Sequence, residues 1–286
     1  MSILANKIDF AVVLSVRNAN PNGDPLNGNR PRETYDGYGE ISDVCIKRKI
    51  RNRLLDMGQP IFVQSDDKRA DNFKSLRERA DSVEELKTEK NAEQYAKVAC
   101  KTWMDVRSFG QVFAFKGNDV SVGVRGPVSI HPAFSVQPVD IASIQITKSV
   151  NSVTGDKKSS DTMGMKHTVP FGVYVFYGSI NCQLAEKTGF TEEDAELIHK
   201  ALETLFENDC SSARPDGSME VCRVYWWKHS CKYGQFSSAK VHRTLHIAPK
   251  SGKKISNSNL PFELDDYYDI TVDPLDGLVP DIYNGI

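Results

Sequence analysis

The 286-residue chain has no apolar run near the roughly 20 residues that cross a bilayer as a helix, so no membrane contact is expected. Its first ten residues include Lys7 and Asp9 and lack an apolar stretch followed by a small-residue cleavage site. They are not read as a signal peptide, and a cytoplasmic location is expected. The six cysteines (Cys45, Cys100, Cys182, Cys210, Cys222, Cys231) contain no C-x-x-C pair, so free, mostly buried thiols are expected. The absence of G-x-x-x-x-G-K-[ST] and G-x-G-x-x-G gives no sign of nucleoside triphosphates or dinucleotides. There is no G-x-S-x-G, no H-E-x-x-H and no evident carboxylate pair. Cys222 and Cys231 stand nine apart and His242 and His246 four apart, whereas zinc fingers place their cysteines two to four apart. No metal and no cofactor are therefore expected. His167, beside Lys166, has the chemistry of a general base for RNA cleavage, but an isolated histidine is more often a hydrogen-bonded structural residue.

Positive charge is missing from one region only. Residues 255–286 hold seven acids and no Lys or Arg, which leaves 36 cations against 31 acids, a formal +5, in residues 1–254. The overall net charge of −2 therefore averages a mildly basic body with an acidic end. Affinity for phosphate follows local fields, so this total permits a nucleic-acid partner without requiring one.

Residues 8–17 (IDFAVVLSVR) read as a buried first strand. They run into 18–32 (NANPNGDPLNGNRPR), where prolines remove donors and Gly and Asn accept positive φ, so a long loop is expected. Asp43 is expected to cap a helix, DVCIKRKIRNRLLDM, that ends at Gly58 and Pro60 and turns Ile46, Ile50 and Leu54 to the core. Residues 66–102 read as one or two charged surface helices, and Trp103 to Phe115 has no clear type. Residues 120–130 read as a strand ending at Gly126-Pro127. Two β-rich runs, 139–150 and 166–177, flank a polar segment expected to form a protruding hairpin tip. Thr191 and Asp194 form a capping-box-like start to a helix reaching about Asn208. Strands are expected at 220–228 and 240–247. The order resembles β-α-β-β-α-β with long additions, an α+β fold.

Four features suggest binding. The helix carries Lys47, Arg48, Lys49, Arg51 and Arg53 with no acid among them, which points to a counter-anion such as phosphate or to salt bridges with the acidic stretch that follows. The NPNGDP loop can converge backbone N–H groups on an anion, with Arg30 and Arg32 close by. DVRSFG (105–110) and VRGP (124–127) each set an arginine beside a glycine, which lets a backbone and a guanidinium approach a phosphate or a base together, or simply makes a turn. The hairpin adds Lys148, Lys157, Lys158, Lys166 and His167, with Met163 and Met165 near its base. The run 170–178 (PFGVYVFYG) is apolar on both faces and reads as core.

In order, VRNANPNGDP (16–25), SDVCIKRKIRN (42–52), DVRSFG (105–110), VRGPV (124–128) and TMGMKHTVPFGVY (162–174) closely resemble the backbone subunit of type I-C CRISPR Cascade, in the repeat-associated mysterious protein superfamily. The likeness runs from about residue 5 to about 230 and stops at Cys231. It implies a modified RNA-recognition-motif (ferredoxin-like) palm over residues 1–250, a helical finger insertion at about 60–102, a β-hairpin thumb at about 141–168, and 251–286 as an acidic C-terminal extension. It also implies a non-catalytic protein that oligomerises along crRNA and displays it for pairing with target DNA in antiviral defence. The implied partners are crRNA, target DNA, further copies of the chain and other Cascade subunits. Relatives in the wider superfamily cleave RNA, so an endoribonuclease acting through Asp24 or His167 is the alternative. The resemblance places Asn20, Asn22, Gly23, Asp24 and Arg32 in an RNA groove, and Lys47, Arg48 and Arg51 on phosphates. Arg107, Phe109 and Arg125 would contact the guide, and Met163 would wedge between bases with Lys148, Lys166 and His167 supporting it.

Overall fold

The computed structural model describes residues 2–115, 121–147, 154, 163–253 and 262–286. In chain order it begins with β1 (Ile8–Ala19), the short ladder β2 (Gly23–Asp24) and β3 (Arg30–Pro31), β4 (Tyr38–Ile41) and α1 (Asp43–Asp56). Short helices α2 (Leu76–Asp81) and α3 (Glu84–Thr88) precede α4 (Ala92–Thr102), α5 (Met104–Phe109), β5 (Gly110–Ala114) and β6 (Ser121–Arg125). Then come β7 (Val128–Ile130), β8 (Ala133–Pro138), β9 (Ala142–Thr147), β10 (Met163–Ile180), α6 (Cys182–Thr188), α7 (Glu192–Glu203) and β11 (Met219–Lys228). The chain closes with α8 (Ser238–His242), β12 (Leu245–Pro249), α9 (Leu264–Tyr267), β13 (Tyr268–Val272) and β14 (Asp281–Asn284).

The main sheet is antiparallel in the order β14-β11-β1-β10-β8-β4, with β7 and β9 also paired to β10. β1 sits at the centre because its residues are apolar on both faces. Phe10, Val12, Leu14 and Val16 face α1, α6 and α7, where Ile46, Ile50, Leu54, Ala195, Ile198 and Leu202 complete one core. Ala11 and Val13 face the other way, against Tyr225, Trp227, Val241, Leu245, Leu264 and Tyr268. Replacing Ile50, which is fully buried, by Ala would cost about 2–5 kcal/mol through lost transfer energy and the cavity left behind. A separate helical lobe is built by α2 to α5 with the β5–β6 hairpin, around Phe62, Tyr95, Trp103 and Phe113. No described helix is long and apolar enough to cross a membrane.

Several expectations change in detail. The N-cap of α1 is Ser42, whose hydroxyl accepts from Cys45 N–H at 3.3 Å, one residue before the expected Asp43. The Thr191–Asp194 capping box is present, but α7 ends at Glu203, short of Asn208, where turns take over. The run 240–247 is not one strand but the end of α8 followed by β12, because Ser237 caps a helical turn there. The thiols are not mostly buried: Cys100 and Cys182 are, Cys45 and Cys222 are half-buried, and Cys210 and Cys231 are exposed. The acidic segment from 262 onward packs on the sheet through its apolar residues, where Leu264 and Tyr268 join the second core and β14 pairs with β11, while its acids stay exposed.

Candidate nucleic-acid interface

The asparagine-glycine loop folds back on itself before it touches anything else. Asn20 is 4% exposed; its N–H donates to the Ala213 carbonyl at 2.9 Å and its Nδ2 to the Asn29 carbonyl at 2.7 Å. Gly23 is required by closeness, since a Cβ there would meet Asn29 Oδ1 at 2.0 Å. Asp24 caps a 3-10 turn by accepting from Leu26 N–H at 3.2 Å and stands 3.7 Å from Arg32. Asn22 joins loop to helix: its Oδ1 accepts from both the N–H and the hydroxyl of Ser42, each at 2.9 Å. The loop and the start of α1 are therefore one rigid unit.

The cations of α1 are not left unbalanced. Lys47 pairs with Asp43 at 2.9 Å and Arg48 with Asp67 at 3.5 Å, both at the surface. The other three point inward to acids far along the chain. Lys49 is buried against Asp209, and Arg53 is held by Thr204 at 2.7 Å and by Glu207. Burial pushes the Lys49 ammonium below its ordinary pKa, while the Asp209 charge works to restore it. Arg51 Nε reaches the buried Asp105 at 3.0 Å and its guanidinium lies 4.9 Å from the Phe109 ring centroid. The acid-free run in the sequence thus has its counter-charges in protein, with Asp67 alone drawn from the acidic stretch after the helix.

The two Arg-Gly motifs meet each other. A Cβ on Gly126 would sit 2.3 Å from the Ser108 carbonyl oxygen, and one on Gly110 (φ 81°) would sit 2.3 Å from that of Val124. Their glycines serve close backbone packing between α5 and β6. Arg107 turns away to Asp194, with Nε and one terminal nitrogen at 2.9 and 2.7 Å from its two oxygens. Arg125 is exposed and forms no ion pair among the described residues.

β9 and the start of β10 form a ribbon in which Met163 faces Thr147, Met165 faces Gln145, Lys166 faces Ile144 and His167 faces Ser143. Cross-strand partners share a face, so Met163, Met165 and His167 line one side and Lys166, Ile144 and Ile146 the other. Met163 and Met165 are 64% and 54% exposed, and Ile144 is 58% exposed. A two-stranded ribbon that is apolar and exposed on both sides is built to be covered. Its base is tied to the loop: Arg30 donates to Ser143 Oγ at 2.9 Å, and that hydroxyl lies 2.8 Å from His167 Nδ1. Lys148, Lys157 and Lys158 lie outside the described residues.

Asn22, Gly23, Asp24, Arg32, Lys47, Arg48, Met163, Lys166 and His167 thus belong to one end of the molecule, whereas Arg51, Arg107 and Phe109 join α1, α5 and α7. Sequence reasoning assigned no site role to Ser42 and Ser143, which weld the loop to helix and hairpin, or to Asp105 and Asp209, which hold Arg51 and Lys49, and it gave Asp194 only its capping role and not its hold on Arg107. No spacing signals these, since each partner lies more than 15 residues away. Among the described residues no three His, Cys, Asp or Glu side chains gather as a metal site.

The fold defines a mixed α/β protein on a large antiparallel sheet, with a loop, a helix start and an exposed ribbon at one end. Residues 6–273 match the family CRISPR-associated protein Cas7, and the chain belongs to that family. The match runs past Cys231, where the sequence motifs stop, and takes in most of the acidic segment. A CRISPR-associated protein Cas7 of Haloferax volcanii is 24% identical over 225 residues, covering 72% of this chain and 66% of that protein, just under two thirds of its length. A chain of a CRISPR RNA-guided surveillance complex, pre-nicking, aligns with a TM-score of 0.50 at 16% identity, over 87% of this chain and 84% of its own. A second CRISPR RNA-guided surveillance complex aligns with a TM-score of 0.40 at 16% identity, over 77% of this chain and 68% of its own. At such identities the first likeness is one of fold.

Proposed function

We propose that the chain is a non-catalytic backbone subunit of a type I-C Cascade-type surveillance complex, binding CRISPR guide RNA in the cytoplasm and displaying it to target DNA. The observation that carries this reading is the welding of the NPNGDP loop to the Ser42 cap of α1 on one side and to the ribbon base through Arg30 on the other. That arrangement brings Arg30, Arg32, Lys47, Arg48 and Lys166 to one end of the molecule, and a grip on phosphates by such cations would leave base edges free, so pairing and not the protein would select the sequence. Membership of the Cas7 family supports the guide RNA as partner.

In this reading the sheet with α1 and α7 is an RNA-recognition-motif-like palm, supported by the order β11-β1-β10-β8 of its central strands. The helical lobe is the finger, extended beyond 60–102 by α5 and the β5–β6 hairpin, and the β9–β10 ribbon is the thumb, with Met163 as wedge. Arg30, Arg32, Lys47, Arg48, Arg125 and Lys166 supply the phosphate grip, and Arg51 and Arg107 position the finger against the palm. Several copies, with other Cascade subunits, would line one guide. Purified protein should carry RNA, seen as a raised 260/280 nm absorbance ratio, and should bind unrelated RNAs alike. Protein free of nucleic acid that binds no added RNA would contradict the reading.

A further inference from the structure

Residues 32–40 leave the loop as a tight hairpin with an unusual tip. Thr34 N–H donates to the Tyr38 carbonyl at 2.7 Å, Gly37 N–H to the Thr34 carbonyl at 3.0 Å, and Tyr38 N–H to the Thr34 hydroxyl at 3.1 Å. The turn is fastened to the sheet edge by Val139 N–H on the Gly37 carbonyl and Gly39 N–H on Ser135 Oγ, both at 2.9 Å. On this fixed support the Tyr35 ring stands wholly in solvent, at 105% of its reference exposure. Glu33 and Asp36 beside it are exposed and form no ion pair among the described residues. A rigid aromatic group costs little ordering entropy when it is buried by a partner, and two unpaired acids around it favour a basic one.

The molecule carries such a surface at its other end. A cleft of about 470 Å³ opens between α4 and the turn joining α6 to α7, with Lys97, Lys101 and Lys187 in its lining, the Arg107–Asp194 pair in its wall, and one further acid, Glu186, whose charge is met by Lys232 at 2.5 Å. Lys97 is engaged by Glu93, but Lys101 and Lys187 are exposed and form no ion pair among the described residues. The α6–α7 turn lies beside the chain just before β1, where Leu4 N–H donates to the Phe190 carbonyl and Ile3 bridges Thr191. Tyr38 pairs with Pro138, three residues beyond the Ser135–Tyr174 rung on the ribbon side. Turn and cleft are thus separated by most of the palm portion of β10, roughly 30 Å at about 3.3 Å per residue.

We propose that the Glu33–Asp36 turn of one copy inserts Tyr35 into the Lys101–Lys187 cleft of the next. The occupant is a second copy of this chain, because the two surfaces match in charge, two free acids against two free lysines, and lie at opposite ends of the strands. A contact between different patches does not close on itself and so builds an open row. A lysine over the Tyr35 ring adds a cation–π attraction. The proposal rests on the reading of the chain as a repeated backbone subunit.

Intermolecular cross-linking tests it. In a Cys210→Ser, Cys231→Ser background, one preparation carries Asp36→Cys and another Lys187→Cys, and the two are mixed under mild oxidation with and without a long RNA. The mixed disulfide dimer should form about tenfold more than either preparation yields alone, because docking raises the local thiol concentration. Adding Tyr35→Ala to the Asp36→Cys copy should return the yield to that of the controls. A mixed yield equal to the controls, or one indifferent to Tyr35→Ala, overturns the contact. Anisotropy of a short RNA that holds one copy tests guide binding separately, so cross-linking without RNA affinity would sink the functional reading and leave the contact standing.

Discussion

Asn22 Oδ1 receives two hydrogen bonds from Ser42, one from the backbone N–H and one from the hydroxyl, and so locks the loop after β1 onto the first turn of α1. Asn22→Ala removes both. At about 1 kcal/mol each, the loss to stability should be about 1–3 kcal/mol, visible as a lower Tm. RNA affinity should fall further than stability requires, by a similar factor for unrelated sequences. An unchanged RNA Kd in a folded variant would separate the loop from binding.

Arg107 and Arg125 look alike in the sequence, each next to a glycine motif, yet should behave differently. Arg107→Ala strips the partner from Asp194, which is 3% exposed and also forms the α7 capping box, so a loss of about 3–5 kcal/mol is expected in chemical denaturation. Arg125→Ala removes an exposed cation without an ion pair and should change stability by no more than about 0.5 kcal/mol while weakening RNA binding. Equal stability losses would show that the Arg107–Asp194 pair does not hold finger to palm.

Asp9 is fully buried, with Lys7 Nζ at 2.7 Å and His229 Nε2 at 2.9 Å. Burial works to raise its pKa, but the hydrogen bonds from His229 and Lys7 outweigh it and leave it below the ordinary 3.8. A carboxylate depressed in the folded state contributes stability that is complete above the unfolded value and is lost as pH falls through the folded one. Asp9→Asn should therefore lower unfolding free energy by a constant amount from pH 7 to about 5, with the gap to the unmodified protein closing as pH drops below 3.8. A gap that persisted at low pH would assign the loss to packing and not to charge.

Asp24 is engaged as a turn cap beside Arg32, and His167 is hydrogen-bonded to Ser143, so neither is expected to perform chemistry. Labelled repeat RNA incubated with the protein, with and without magnesium, should remain intact. Cleavage abolished by Asp24→Asn or His167→Ala would favour the nuclease alternative.

What the sequence makes legible is local. The spacing of Ile46, Ile50 and Leu54 locates α1, the Thr191–Asp194 pair marks the start of α7, and Gly126-Pro127 marks the break between β6 and β7. The two-sided apolar run at 170–178 identifies a central strand, because only burial on both faces tolerates it. What stays hidden is pairing at a distance. The acids that claim Arg51, Arg107 and Lys49 lie 54, 87 and 160 residues away, so a helix that looks unbalanced is balanced by its fold. The acidic end gave no periodic signal, since its buried residues Leu264, Tyr268 and Leu278 come from α9, β13 and the turn before β14.

Lys47 and Arg48 are the cations of α1 that remain at the surface, and the salt dependence of their effect is the most direct measurement of how the protein holds RNA. Single-strand binding loses about 0.7 in the slope of log K against log salt for each phosphate contact removed. Lys47→Ala with Arg48→Ala should weaken binding of unrelated RNAs to a similar degree and flatten that slope by up to about 1.4. A slope that did not move, or a loss confined to one RNA sequence, would contradict a grip that is electrostatic and blind to sequence.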